Sequence, residues 1–114
     1  MSRAAPASPL QITERDLQRT VVGMARKLGW TVYHTWLSAR SQPGFPDLVL
    51  VRPAMGGRAG RVVFAELKSA TGTVNQNQQN WLWLLASAGA EVYTWRPEHL
   101  REDIAAVLMA DTRP

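Results

Sequence analysis

Four charged residues stand where the surrounding pattern calls for apolar ones. Glu14 precedes Leu17 by three positions, which places it on the apolar side of an amphipathic helix. Asp47 opens the otherwise apolar run Leu48-Val49-Leu50-Val51. Over residues 61–68 the twofold period of a strand puts Val62, Phe64, Glu66 and Lys68 on one face. Carboxylates gathered against a sheet repel one another and are costly to bury, so positive charge must compensate. Lys68 supplies one unit, and a divalent cation would supply two more.

The composition narrows the choice of cation. The chain has no cysteine, which excludes disulfides, thiolate zinc sites, iron–sulfur clusters and a cysteine nucleophile. Its two histidines, His34 and His99, are far apart and form no HxxxH or HExxH pair. Oxygen donors without paired histidines suit a hard ion, Mg²⁺ or Mn²⁺. Such ions activate water and neutralise charge on phosphoryl oxygens, and a neighbouring lysine can orient the water or stabilise the phosphorus centre. The chemistry suggested is hydrolysis of a phosphodiester.

The elements that must carry these residues are legible in outline. Thr13-Glu14-Arg15-Asp16 resembles a capping box, and Leu17, Val21, Met24 and Leu28 follow on one helical face until Gly29. Residues 30–37 are dense in aromatic and β-branched types and predict a strand. A polar segment ends in Pro43-Gly44-Phe45-Pro46, and Asp47 to Val51 is a short buried strand. The turn over 53–60 and the strand over 61–68 then make an antiparallel hairpin. Asn75 and Gln78 form a capping box for a helix over 76–88, with Trp81, Leu84, Leu85 and Ala88 as its apolar face. Residues 91–95 are a fourth strand, and Leu100, Ile104, Val107 and Leu108 mark a last helix opened by Pro97. The order α-β-β-β-α-β-α predicts an α/β domain, a mixed four-stranded sheet flanked by helices.

The pair Pro46-Asp47 followed by Glu66-Leu67-Lys68 resembles the PD-(D/E)XK nuclease signature. Gly44-Phe45-Pro46-Asp47-Leu48, Phe64-Ala65-Glu66-Leu67-Lys68, Gly72 with Gln78, and Gly89-Ala90-Glu91-Val92-Tyr93 occur in the order of the VRR-NUC branch of that superfamily. The likeness runs from about Thr13 to Leu108 and implies a restriction-endonuclease-like core. It implies that Asp47 and Glu66 are metal ligands, with the Leu67 carbonyl as a third and Glu14 acting in support, often through water. It assigns Lys68 to the water or the phosphoryl oxygens, and Gln78 to a reach toward the site. It further implies a stand-alone, virus-type endodeoxyribonuclease using Mg²⁺ or Mn²⁺ on branched or duplex DNA, with four-way-junction (Holliday junction) resolution by a homodimer among the family's activities and roles in repair or recombination among its relatives. Two alternatives stand beside it: a DNA-binding module that keeps the fold without cleaving, and a nuclease acting on RNA.

Other residues invite a role in DNA contact. Ser38, Arg40, Ser41 and Gln42 precede the Asp47 strand, and arginines and hydroxyls grip phosphate well. Arg58 and Arg61 at the hairpin suggest the same, and His34 is either a packed strand histidine or a phosphate contact. Gln78 is also accounted for by its cap, Glu14 by the helix dipole, and Glu66 with Lys68 by an exposed ion pair. Among the tryptophans, Trp81 and Trp95 fit the core, whereas Trp83 falls off the apolar stripe and points to a dimer or DNA-contacting face.

The 114 residues are one domain's worth of chain, read as a disordered tail over 1–11 and a nuclease-like domain over 12–110. Lys and Arg number 13 against 9 acids, a charge of +4 that fits a polyanion partner. Three of those acids committed to one site would leave the rest of the surface more basic still. There is no membrane-length apolar run and no signal-peptide core near the N-terminus, so an intracellular, DNA-associated protein without a membrane partner is expected.

Overall fold

The computed structural model describes residues 8–36 and 40–114. Ser38 and residues 1–7 of the expected tail lie outside the described residues. The α-helices are α1 (Glu14–Lys27), α2 (Gln76–Ser87) and α3 (Asp103–Met109); the strands are β1 (Thr31–His34), β2 (Leu48–Arg52), β3 (Arg61–Leu67) and β4 (Glu91–Trp95). Short 3-10 turns cover Pro9–Gln11, inside the stretch expected to be a tail, and Pro97–Leu100. The strands form one mixed sheet in the order β1-β2-β3-β4, antiparallel except for the parallel β3–β4 pair.

Local chemistry explains the boundaries. Thr13 caps α1 by accepting from the Asp16 amide at 3.1 Å. At α2 the box is reciprocal, with Gln78 N donating to Asn75 Oδ1 and Asn75 N donating to Gln78 Oε1, both at 2.9 Å. The first strand ends at His34, earlier than its composition suggests, and the last helix is broken into the turn at Pro97–Leu100 and α3. Pro97 starts a 3-10 turn with Arg96 N bonded to His99 Nδ1, and the continuous helix expected from Leu100 onward does not form until Asp103.

The two faces of the sheet are unequal. Leu48 and Leu50 of β2 join Val63, Ala65 and Leu67 of β3 in a core closed by Leu17, Val21 and Ala25 of α1 and by Ile104 and Leu108 of α3. The opposite face carries Val51, Val62 and Phe64, and α2 covers it only in part. Val51 and Val62 are 41% and 46% exposed, and no residue of α2 is buried. The expected apolar face of α2 is therefore corrected: Leu84 is half exposed and Trp81 half buried, because the helix packs over β4 and the 43–46 loop rather than across the sheet. Trp95 is buried and Trp83 is exposed, as the pattern predicts.

A second correction concerns the hairpin end. Arg61 is buried against Glu91, with both guanidinium nitrogens Nε and Nη2 donating to its carboxylate, and Nη1 donates to the carbonyls of Val107 and Ala110 at 2.7 and 2.9 Å. Arg52 donates to the carbonyls of Leu108, Ala110 and Asp111. Both guanidinium groups lie over the Trp30 ring, 4.9 and 5.0 Å from its centroid. Arg61 is thus an internal lock on the end of α3, not a surface contact. Removing one partner of a buried, bidentate ion pair strands the other charge. Arg61→Ala should lower stability by about 3 kcal/mol, and Arg61→Ala combined with Glu91→Ala should lose less than the sum of the two single changes. Urea unfolding of the four proteins checks both expectations.

Candidate active site

The β2–β3 ladder places the acids. Leu48 pairs with Ala65, so one step further along the same register sets Asp47 opposite Glu66. Both lie on the α2 side of the sheet, and Lys68 follows on that side just past the strand end. Asp47 is fixed at both ends: its Oδ2 accepts from Leu67 N at 2.7 Å, and its carbonyl accepts from Thr35 N at 2.8 Å. Thr35 also holds the preceding residue, its Oγ1 donating to the Pro46 carbonyl at 2.7 Å.

The 43–46 loop brings α2 to this point. Gly44 has φ +90°, and a Cβ there would lie 2.5 Å from the Asn77 carbonyl carbon and 2.7 Å from Gln78 N. Only glycine permits both that conformation and that approach. Phe45 then packs edge-on against Phe64 and Trp81, 6.0 and 5.1 Å between centroids, wedging the loop between sheet and helix. The result is that Gln78 uses both halves of its amide. Its oxygen completes the α2 cap, and its Nε2 donates to Glu66 Oε1 at 3.2 Å.

Glu66 is 1% exposed, and its Oε2 is buried with no hydrogen-bond partner. Burial first, then the neighbouring Asp47 carboxyl, push its carboxyl up to about 9, while Lys68 acts in the opposite sense and Glu14 adds a further rise. Glu14 itself is exposed at the start of α1; the expected burial is corrected, and its charge reaches Glu66 without contact. A carboxyl pair with an orphaned buried oxygen fits a hard cation in donor chemistry and in charge. Among the described residues no third His, Asp or Glu completes a ligand cluster, so main-chain oxygen or water would have to fill the remaining positions.

The remaining candidates are dispersed. His34 accepts from or donates to Gln18 of α1 through Nε2 and stacks on Trp36. Ser41 and Gln42 line a cleft of about 660 Å³ beside Asp47, together with Gly44, Asn77 and Gln78. Arg40 is exposed nearby in sequence. Arg58 and Arg61 sit at the far end of the strands, roughly 17 Å from Asp47 at the rise of an extended chain. One positioning group has no sequence signal at all: Arg96 Nη1 donates to the carbonyls of Ser69 and Gly72, both at 2.7 Å, clamping the turn that follows Lys68.

The sequence model of the VRR-NUC domain matches residues 10–97. The chain belongs to the VRR-NUC domain family. It is similar to a solved structure described as a VRR_NUC domain, with a TM-score of 0.58 and 24% identity over 77% of this chain and 84% of that one. A search of curated proteins gives no match. VRR-NUC domains form a nuclease family, and the acid pair, Lys68 and Gln78 all fall inside the matched span. No helix of the described residues is long and apolar enough to cross a membrane.

The raised Glu66 carboxyl has a measurable consequence in chelator. A group whose folded pKa lies at about 9 against an ordinary 4.5 adds stability that is complete below pH 4.5 and is lost as pH rises through 9. Glu66→Gln keeps the shape and removes this dependence. In EDTA its Tm should match that of the wild type at pH 4 and exceed it by several degrees at pH 8.5, as followed by circular dichroism. Added Mg²⁺ or Mn²⁺ should raise the wild-type Tm and leave the variant unmoved.

Proposed function

We propose that this VRR-NUC chain is a metal-dependent endodeoxyribonuclease that hydrolyses phosphodiester bonds in branched or duplex DNA, with Holliday-junction-like substrates among the branched forms. The observation that carries the reading is the buried carboxyl of Glu66 opposite Asp47, with one oxygen left without a partner. Asp47, Glu66 and the main-chain carbonyl of Leu67 would hold Mg²⁺ or Mn²⁺, with Glu14 in support through water. When bound, the ion would acidify water and offset charge on the phosphoryl oxygens.

The chain's own residues supply the rest. Lys68 is largely buried beside the acids, where its ammonium would orient the attacking water or meet the charge that develops at phosphorus. Gln78 holds one Glu66 oxygen and leaves the other for the ion. Water adds to phosphorus and gives up a proton to solvent as the 3′ or 5′ oxygen leaves, and the departing oxygen takes up a proton in return. Arg40 and Ser41 precede Asp47 by a few positions in the chain and would contact flanking phosphates.

One site cuts one strand, so paired cuts in a junction call for a second copy. Exposed Val51 and Val62 on the sheet, with Trp83 and Leu84 on the helix above the same face, offer the apolar surface for a homodimer. Trp83→Glu should shift the protein to a monomer by light scattering while the far-ultraviolet spectrum stays unchanged.

Cleavage of labelled duplex, flap and four-way-junction DNA tests the activity itself. Wild type should cut with Mg²⁺ or Mn²⁺ and not with EDTA, and Asp47→Asn and Lys68→Ala should each lose roughly a hundredfold or more in rate. Undiminished cutting by Asp47→Asn, or cutting in chelator, would refute the metal mechanism. Failure to cut any DNA with either ion would remove the deoxyribonuclease reading.

A further inference from the structure

The cleft beside Asp47 has a lining unlike a phosphate groove. Among the described residues that line it, Asp47 is the single one with a charged side chain. Phosphate tracks are built from Lys and Arg. Here Tyr33, Trp36 and Trp81 supply aromatic surface, and Gln42, Asn75 and Asn77 supply carboxamides. Aromatic faces stack bases and carboxamides read their donor and acceptor edges. The volume of about 660 Å³ is in the range of small-ligand sites.

Trp36 is held for such a role. His34 stacks on it, with centroids 5.1 Å apart and planes at 22°, yet the indole remains 78% exposed. His34 is in turn tied to Gln18 of α1, so the ring that backs Trp36 is anchored to the helix. Tyr33, 64% exposed, sits on the same edge strand. An exposed tryptophan that lies over an anchored ring is a poor contribution to a core and a preformed platform for a flat ligand.

The structure assigns this cleft to one unpaired nucleobase, that of the nucleotide next to the scissile phosphate, stacked on Trp36 and met at its edge by the carboxamides. The assignment rests on the nuclease reading for the phosphate at Asp47 and deepens it. The enzyme would act where a base is free to leave the stack, at a branch point, flap or distorted step, because extruding a base from intact duplex carries an unstacking cost.

Binding in EDTA, where no cutting is expected, tests the cleft apart from the chemistry. The probes are flap oligonucleotides with 2-aminopurine, or an abasic residue, at the branch. Wild type should change the 2-aminopurine emission on binding. Trp36→Ala should bind the base-bearing flap roughly tenfold more weakly, in line with the loss of one stacking contact. Trp36→Phe should recover most of that loss. On the abasic flap, Trp36→Ala and wild type should bind alike, because there is no base to stack. Tyr33→Ala, on another exposed side chain, repeats the measurement should Trp36→Ala fail to fold. If the alanine variants bind the base-bearing flap within twofold of wild type, or lose base-bearing and abasic flaps equally, the assignment is overturned. A wild type that binds in this base-dependent way but cuts nothing with Mg²⁺ or Mn²⁺ would keep the cleft and remove the nuclease. One that cuts while the platform variants show no base dependence would do the reverse.

Discussion

Two carboxyl groups face each other across the open end of the β2–β3 ladder, and the surrounding structure is arranged around holding them there. Like charges opposite one another on neighbouring strands repel, and burial of Glu66 makes the repulsion worse. The fold answers with fixed donors instead of room to move apart. Leu67 N and Thr35 N hold Asp47, Gln78 holds Glu66, and Lys68 is confined beside both by the turn that Arg96 clamps. These contacts leave Glu66 Oε2 buried without a donor, and burial together with the neighbouring Asp47 raises the Glu66 carboxyl. A site in this condition is destabilising by itself and is tolerated because the rest of the fold determines its geometry.

The compensation sits at the other end of the same strands. Arg52 and Arg61 collect the terminal carbonyls of α3, stack on Trp30 and, through Arg61, neutralise Glu91. Arginine suits this work because its planar fork can serve several carbonyls and an aromatic face together, whereas a lysine ammonium cannot. The lock also changes the charge accounting. Among the described residues, burial takes Arg52, Arg61 and Lys68 from the cations and Glu66 and Glu91 from the acids. The buried cations thus offset the buried acids in that accounting. DNA binding would have to draw on shape and on particular contacts as well as on field.

What was legible in the sequence was local. The Thr13 cap, the Asn75–Gln78 box, the hairpin turn and the bounds of β4 follow from neighbours a few residues apart, and the structure carries them at those positions. The period-two reading of 61–68 gave the shared face of Glu66 and Lys68 for the same reason. Arg61 was misplaced because its partner is thirty residues away and no spacing announces it. The exposed side of α2 was misjudged because an apolar stripe signals a preference for burial and not the presence of something to bury it. Glu14 followed the stripe in register but stands exposed at the first position of α1, ahead of its first buried residue, Leu17.

The choice of residue at position 78 shows how cap and site are reconciled. A capping box accepts glutamate or glutamine at its third helical position, and glutamate would serve the helix dipole better. α1 does begin with acids, Glu14 and Asp16, whereas the first turn of α2 has none. A carboxylate at 78, brought as close as Gly44 allows, would set a third negative group against Glu66. It would have no proton to donate to Glu66 Oε1 and would raise that carboxyl further. The amide satisfies the cap with its oxygen and the acid with its nitrogen, and it leaves the positive end of the α2 dipole uncancelled beside the acid pair. The helix start and the site are therefore a single constraint, met by one side chain with a donor at one atom and an acceptor at the other.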